Sequence, residues 1–135
     1  MESFVLHRSM HASCFYFERY IDDVFLTCNE PYEKLNDLLD RANASHPNIK
    51  LIRTVGKCLP FLDVEISNID GNLFTSVFHK DASEPYVVPF ASDHPRHVFA
   101  NIIQGALVRA MRYSSTLNAF NRERLAIKLM LLSNG

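Results

Sequence analysis

Hydrophobic and polar residues follow two different periods along the chain. Up to about residue 80, apolar residues mostly alternate with polar ones or form short runs, which is typical of β-strands. Beyond about residue 93 they recur every three or four positions, which is typical of amphipathic helices. The sequence therefore predicts an α+β fold, in which an antiparallel sheet is followed by a helical segment.

The first region combines several strand patterns with one helical pattern. Aromatic and β-branched residues on both sides of Asp22 and Asp23 predict a β-hairpin over residues 14–28. A helix over about residues 30–44, packed on the sheet, is predicted from four apolar residues on one face, Leu35, Leu38, Leu39 and Ala42. Further strands and turns are expected at residues 49–55, Gly56-Lys57, residues 62–66, Asp70-Gly71 and residues 73–79. Residues 1–13 have little pattern and predict a lead-in, a weak strand or a weak helix.

The second region begins with a loop, predicted over residues 81–93. Apolar residues then form one wide helical stripe over residues 98–111, with Arg109 and Arg112 outside the stripe. A break is predicted over residues 113–118, followed by a second helix that ends near Asn134-Gly135.

Charge is distributed unevenly. The chain is 47% hydrophobic and 21% charged, which favours a folded domain over a disordered chain. Residues 1–92 contain 8 basic and 13 acidic residues, whereas residues 93–135 contain 6 basic and 2 acidic ones, a net charge of +4. The basic part predicts a surface that follows a phosphate backbone, and an ordinary solvated helix face is the alternative.

The cysteines and the apolar segments bear on where the protein works. Cys14, Cys28 and Cys58 form no paired framework, which favours a reducing compartment, nuclear or cytoplasmic. The N-terminus is interrupted by charge too early for a secretory signal. The most apolar stretch, residues 125–132, is too short to cross a bilayer, so no membrane partner is expected.

Two side-chain groups suggest metal chemistry. Asp22 and Asp23 are adjacent carboxylates at a predicted turn, and their repulsion would be relieved by Mg²⁺, which prefers oxygen ligands. A solvated acidic turn and a metal- or nucleotide-binding domain of another kind are the alternatives. His94 and His97 have a spacing found in zinc sites, but no second pair of ligands stands nearby, so a role at a helix start is favoured.

Four blocks occur in a fixed order: Tyr-Ile-Asp-Asp at 20–23, Leu-Pro-Phe-Leu-Asp-Val-Glu-Ile at 59–66, Phe-Thr-Ser-Val-Phe-His-Lys at 74–80 and Ser-Asp-His-Pro-Arg-His at 92–97. This series resembles the reverse transcriptases of Penelope-like retroelements, which are related to telomerase. The resemblance implies a palm-type sheet with a catalytic hairpin and one packing helix, followed by a thumb-like helical segment. Residues 1–80 would form the C-terminal half of the palm, and residues 81–135 the loop and the thumb.

The resemblance also implies a reaction. It implies RNA-directed DNA polymerase activity, with an RNA template, a DNA primer and deoxynucleotides, through two Mg²⁺ ions or Mn²⁺ as their alternative. Asp22 and Asp23 would bind the metal, and Tyr20 would lie near the primer terminus. The family's third carboxylate has no counterpart in residues 1–13, so the chain is expected to belong to a longer polymerase and to be inactive in isolation. The alternative is a catalytically inactive retroelement remnant that acts as a nucleic-acid-binding or structural domain.

Basic residues are the predicted contacts with nucleic acid. Lys57 and Lys80 are basic positions near the resembling strands, and Arg96 precedes the first C-terminal helix. Arg109 and Arg112 are expected to follow the phosphate backbone, together with Arg122, Arg124 and Lys128.

Overall fold

The structure, a computed structural model, describes residues 2–7, 16–45, 47–48, 50–80 and 88–134. Within these ranges it contains seven strands and three helices. They form two compact units, Met1–Leu73 and Phe74–Gly135. The predicted α+β class is confirmed. Cys14, the start of the predicted hairpin and residues 81–87 of the predicted loop lie outside the described residues.

A four-stranded mixed sheet organises the first unit. Its strands are β1 (Glu2–His7), β2 (Tyr16–Tyr20), β3 (Asp23–Cys28) and β4 (Ile52–Gly56), in the order β2-β3-β1-β4. β2 and β3 are antiparallel, whereas β1 runs parallel to both β3 and β4. The expectation of an antiparallel sheet is therefore wrong for β1. The helix between β3 and β4 returns the chain so that both strands run in the same direction, and β1 pairs between them.

The predicted hairpin around the two aspartates is confirmed. Tyr20 pairs with Asp23, so the connecting turn consists of Ile21 and Asp22 alone. Ile21 has a φ of 50°, a conformation that is uncommon for a β-branched residue. Asp22 therefore lies in the turn, and Asp23 is the first residue of β3.

β3 lies between a helix and a second sheet. Helix α1 (Tyr32–Ala44) buries Leu35 and Leu39 against Cys28. On the other side of β3, Phe25 packs against Leu59 of the second sheet. Leu38 and Ala42, which were predicted on the buried face of the helix, are exposed, since the contact with β3 takes up only the strip along Leu35 and Leu39.

The second sheet contains β5 (Cys58–Phe61), β6 (Val64–Ile69) and β7 (Asn72–Val77) in that order. Leu62 and Asp63 form the turn between β5 and β6, so the strand predicted over residues 62–66 begins two residues too early, and β5 was missed. Leu62 has a φ of 55°, which its residue type does not signal. The predicted Asp70-Gly71 turn is confirmed, with φ positive at both residues as a type I′ turn requires.

Two helices make up most of the second unit. They are α2 (Arg96–Tyr113) and α3 (Leu117–Ser133), and both are longer than the sequence predicts. The turn between them has three residues, Ser114, Ser115 and Thr116, instead of the predicted break over residues 113–118. None of the helices in the described ranges is both long enough and apolar enough to cross a membrane. Nothing in these elements specifies a palm fold, and the palm and thumb domain assignment stays untested.

Candidate nucleic-acid interface

The turn between α2 and α3 is held by hydrogen bonds to α3 and to β7. The Thr116 hydroxyl accepts a hydrogen bond from the Ala119 backbone N–H at 3.2 Å and so caps the start of α3. Ser115 is bonded to β7: its backbone N–H donates to the Thr75 carbonyl at 3.0 Å, and its Oγ accepts from the Thr75 N–H at 2.9 Å. The turn and the start of α3 are therefore held by specific hydrogen bonds of side chains and backbone.

One face of α3 is buried and includes its only acidic residue. Ala119 and Ile127 are buried, and Glu123 lies between them at helical spacing. The Glu123 side chain is only 13% exposed, and its Oε2 lies 2.8 Å from Nε2 of His79. The exposed face of α3 consequently contains no carboxylate.

Two polar residues lie on the exposed side of the first half of α3. Asn118 and Arg122 are four residues apart, both exposed, and occupy the first two turns of the helix. Asn118 falls in the predicted break over residues 113–118, so the sequence alone does not indicate it as a candidate. Its spacing to Arg122 would have been a signal once the helix start at Leu117 was known.

Other exposed basic side chains lie elsewhere on the same two helices. Arg124 and Lys128 are exposed on α3, and Arg112 is exposed in the last turn of α2. Arg96 is the first residue of α2 and is also exposed. Neither helix has an acidic residue in its first turn, so the positive ends of both helix dipoles stay uncompensated by their own side chains.

The remaining residues that were predicted to contact nucleic acid lie in other surroundings. Arg109 is half-buried, and its Nη2 donates a hydrogen bond to the backbone carbonyl of Phe78 at 3.3 Å. Lys80 is exposed after β7, and Lys57 is exposed between β4 and β5 in the first unit. Their roles in nucleic-acid binding stay predictions.

The predicted catalytic residues lie together on the β2–β3 hairpin. Asp22 is exposed, Asp23 is half-buried, and Tyr20 is 56% exposed. In the part of the chain that the structure describes, no three His, Cys, Asp or Glu residues are grouped so as to hold a metal ion. Two neighbouring carboxylates could supply part of a Mg²⁺ or Mn²⁺ coordination shell. The metal and the catalytic roles of Asp22, Asp23 and Tyr20 stay untested predictions.

Zinc binding by His94 and His97, near the start of α2, also stays an untested prediction. Nδ1 of His94 lies 3.0 Å from the Ser92 hydroxyl, just before α2. His97 is exposed in the first turn of α2. The role at a helix start that the sequence favours agrees with this placement.

Comparison with known proteins changes the interpretation of the chain. The family described as Animal helix-turn-helix domain matches residues 86–135, which is less than half of the chain and includes all of α2 and α3. No curated protein and no solved structure matches.

This match contradicts the resemblance to Penelope-like reverse transcriptases, which is therefore wrong. The physical reason is that the blocks behind the resemblance are short. Tyr-Ile-Asp-Asp and the later blocks specify a hairpin with an acidic turn, strands and a helix start, and such local structures occur in many folds. The comparisons also give no support for an RNA template, a primer or deoxynucleotides as ligands. The C-terminal part of the chain is instead similar to the family described as Animal helix-turn-helix domain.

Proposed function

We propose that residues 86–135 bind double-stranded DNA, with the first half of α3 in the major groove. The observation that carries the proposal is the pair of helices joined by a three-residue turn, within the segment that matches the helix-turn-helix family. In DNA-binding domains of this kind, the second helix presents residues near its N-terminus to base edges, and the first helix crosses the backbone. Asn118 and Arg122 occupy the corresponding positions of α3.

The chemistry of these two side chains suits base recognition. Asn can bond adenine through two atoms, and Arg can bond guanine in the same way. Both side chains are exposed, and the helix places them one turn apart. One turn of helix spans about 5 Å, so both fit within a groove that is about 12 Å wide.

Phosphate contacts would come from exposed basic residues of both helices. Arg96, Arg112 and Arg124 are exposed, and residues 93–135 have a net charge of +4. Such contacts position a protein on DNA without reading the sequence, and they release counterions. The first helix turns of α2 and α3 contain no acid that would oppose them.

The test is fluorescence anisotropy of a labelled 20-base-pair duplex with the full chain, over a series of salt concentrations. Wild-type protein should bind unselected duplex with a Kd of about 10⁻⁴–10⁻⁶ M, and binding should weaken steeply with salt. Arg112→Ala should lower the slope of log K against log salt by about 0.9. Arg41→Ala, an exposed arginine of α1, is the matched control and should leave the slope unchanged.

Sequence recognition needs a second measurement, because phosphate contacts do not report it. Duplexes selected from a random pool should share a preferred motif. Asn118→Ala and Arg122→Ala should each weaken binding to that motif by about 1–3 kcal/mol, with a much smaller effect on unrelated duplexes. Absence of binding by the wild-type protein at low salt would refute the proposal. If the two variants weaken binding to selected and unrelated duplexes equally, these side chains do not recognise bases.

A further inference from the structure

The second half of α3 has an apolar exposed surface that DNA binding does not explain. Leu125, Leu129 and Leu132 are 57%, 58% and 68% exposed. Their spacing of four and three residues places them along one face of the helix, and we call them the leucine stripe. Single exposed leucines are common on protein surfaces, but three in a continuous row indicate an interaction site.

The charges beside the leucine stripe narrow the choice of partner. Arg124 and Lys128 are exposed on α3 next to the stripe, four residues apart. Glu123, the only acid of α3, is directed away from this surface and lies against His79. The surface is therefore apolar along its centre and basic along one edge.

Three kinds of partner could cover the leucine stripe: a second copy of the chain, DNA, or a helix of another protein. A second copy of α3 on the leucine stripe would bring Arg124 and Lys128 near the same residues of the other copy, and α3 offers no exposed acid to offset the repulsion. DNA would place its charged phosphate backbone against the leucines, which is unfavourable for apolar side chains. An acidic amphipathic helix satisfies both features, since its apolar residues pack on leucines at heptad spacing and its carboxylates pair with the two cations.

We propose that the leucine stripe binds an amphipathic helix of a partner protein, whose apolar seam is flanked by Asp and Glu. The partner helix lies along the second half of α3, where the leucine stripe begins one turn after Arg122. Arg124 is used by both proposals, but the leucines are used by this one alone, so the peptide test on the leucines and the DNA test can fail independently.

The experiment uses two synthetic helical peptides with the same leucine seam, one flanked by Glu and the other by Lys. Binding of each peptide to the full chain is measured by isothermal titration calorimetry. The Glu peptide should bind at least tenfold more tightly than the Lys peptide. Leu129→Gln should weaken binding of the Glu peptide at least tenfold. Leu38→Gln, at an exposed leucine of α1, should leave that binding unchanged.

A charge exchange tests the role of the basic edge. The double variant Arg124→Glu, Lys128→Glu should lose binding of the Glu peptide and gain binding of the Lys peptide. Circular dichroism of each variant confirms that the helices are kept, and Arg41→Ala, at an exposed arginine of α1, should leave peptide binding unchanged. Equal affinity for both peptides, or no effect of Leu129→Gln, would overturn the proposal. Self-association or uptake by phosphatidylserine vesicles that Leu129→Gln abolishes would also overturn it, because the stripe would then serve another partner.

Discussion

The contact between Ser115 and β7 gives a direct test of how the turn between the helices is stabilised. In Ser115→Ala, the backbone bond to the Thr75 carbonyl remains, but the Thr75 N–H loses the Ser115 Oγ as its acceptor. The Oγ also lies 3.3 Å from the Thr75 carbonyl and can donate to it, so both side-chain bonds are removed. A hydrogen bond contributes about 0.5–1.5 kcal/mol net. Because Ser115 is exposed and water can reach the freed N–H, we expect a loss of about 1 kcal/mol in total.

Urea denaturation followed by circular dichroism at 222 nm measures this loss. A change of 1 kcal/mol corresponds to a melting temperature lower by about 3–6 °C for a chain of this size. Ser133→Ala is the matched control, since the Ser133 hydroxyl is exposed and donates only within α3, to the Met130 carbonyl. Its effect should stay within about 0.5 kcal/mol. If both variants have the same stability, the side chain of Ser115 adds nothing to the bond between the turn and β7.

Two further predictions concern the first unit. Leu35→Ala should lower the free energy of unfolding by roughly 2–5 kcal/mol, because Leu35 is 2% exposed against β3, whereas Leu38→Ala on the exposed side should change it by less than about 0.5 kcal/mol. Chemical denaturation of both variants checks this, and equal losses would contradict the assigned helix face. The hydrogen bond from the Tyr16 hydroxyl to Glu18, together with the Glu18 charge, raises the pKa of Tyr16 above its ordinary value of 10.0. Glu18→Ala should therefore lower the pKa of Tyr16 in an NMR titration of the ring carbons. Since the folded state holds this proton more tightly, the stabilising contribution is present below pH 10.0 and is lost as the pH rises through the raised pKa, and an unchanged pKa would exclude the bond.

Features that depend on neighbouring residues were predictable from the sequence. The hairpin at Asp22 follows from residue types on both sides of a two-residue turn, and the Asp70-Gly71 turn follows from residues that tolerate positive φ. The two C-terminal helices follow from apolar residues at helical spacing. In each case the interacting groups lie within a few positions of one another, so the pattern is visible in a short window.

The candidate interface was predictable only in part. The basic character of residues 93–135 is a property of the sequence, and it indicated contact with phosphates. The short turn between α2 and α3 was not predicted. Ser114, Ser115 and Thr116 are all residue types that can cap a helix, and only the structure shows that Thr116 caps α3. The Tyr-Ile-Asp-Asp motif led to a wrong family, since a short motif determines local structure and leaves the rest of the fold open.

Only the tertiary structure decided how distant residues meet. β1 has little sequence pattern, yet it pairs in parallel with both β3 and β4, because strand order depends on the path of the whole chain. Glu123 lies beside His79, 44 residues away, and so leaves the exposed face of α3 basic. The sequence by itself determined the types of most elements through contacts between near neighbours. Their order in the sheet and the side chains left on the surface follow from packing between segments far apart in the chain, which no local period encodes.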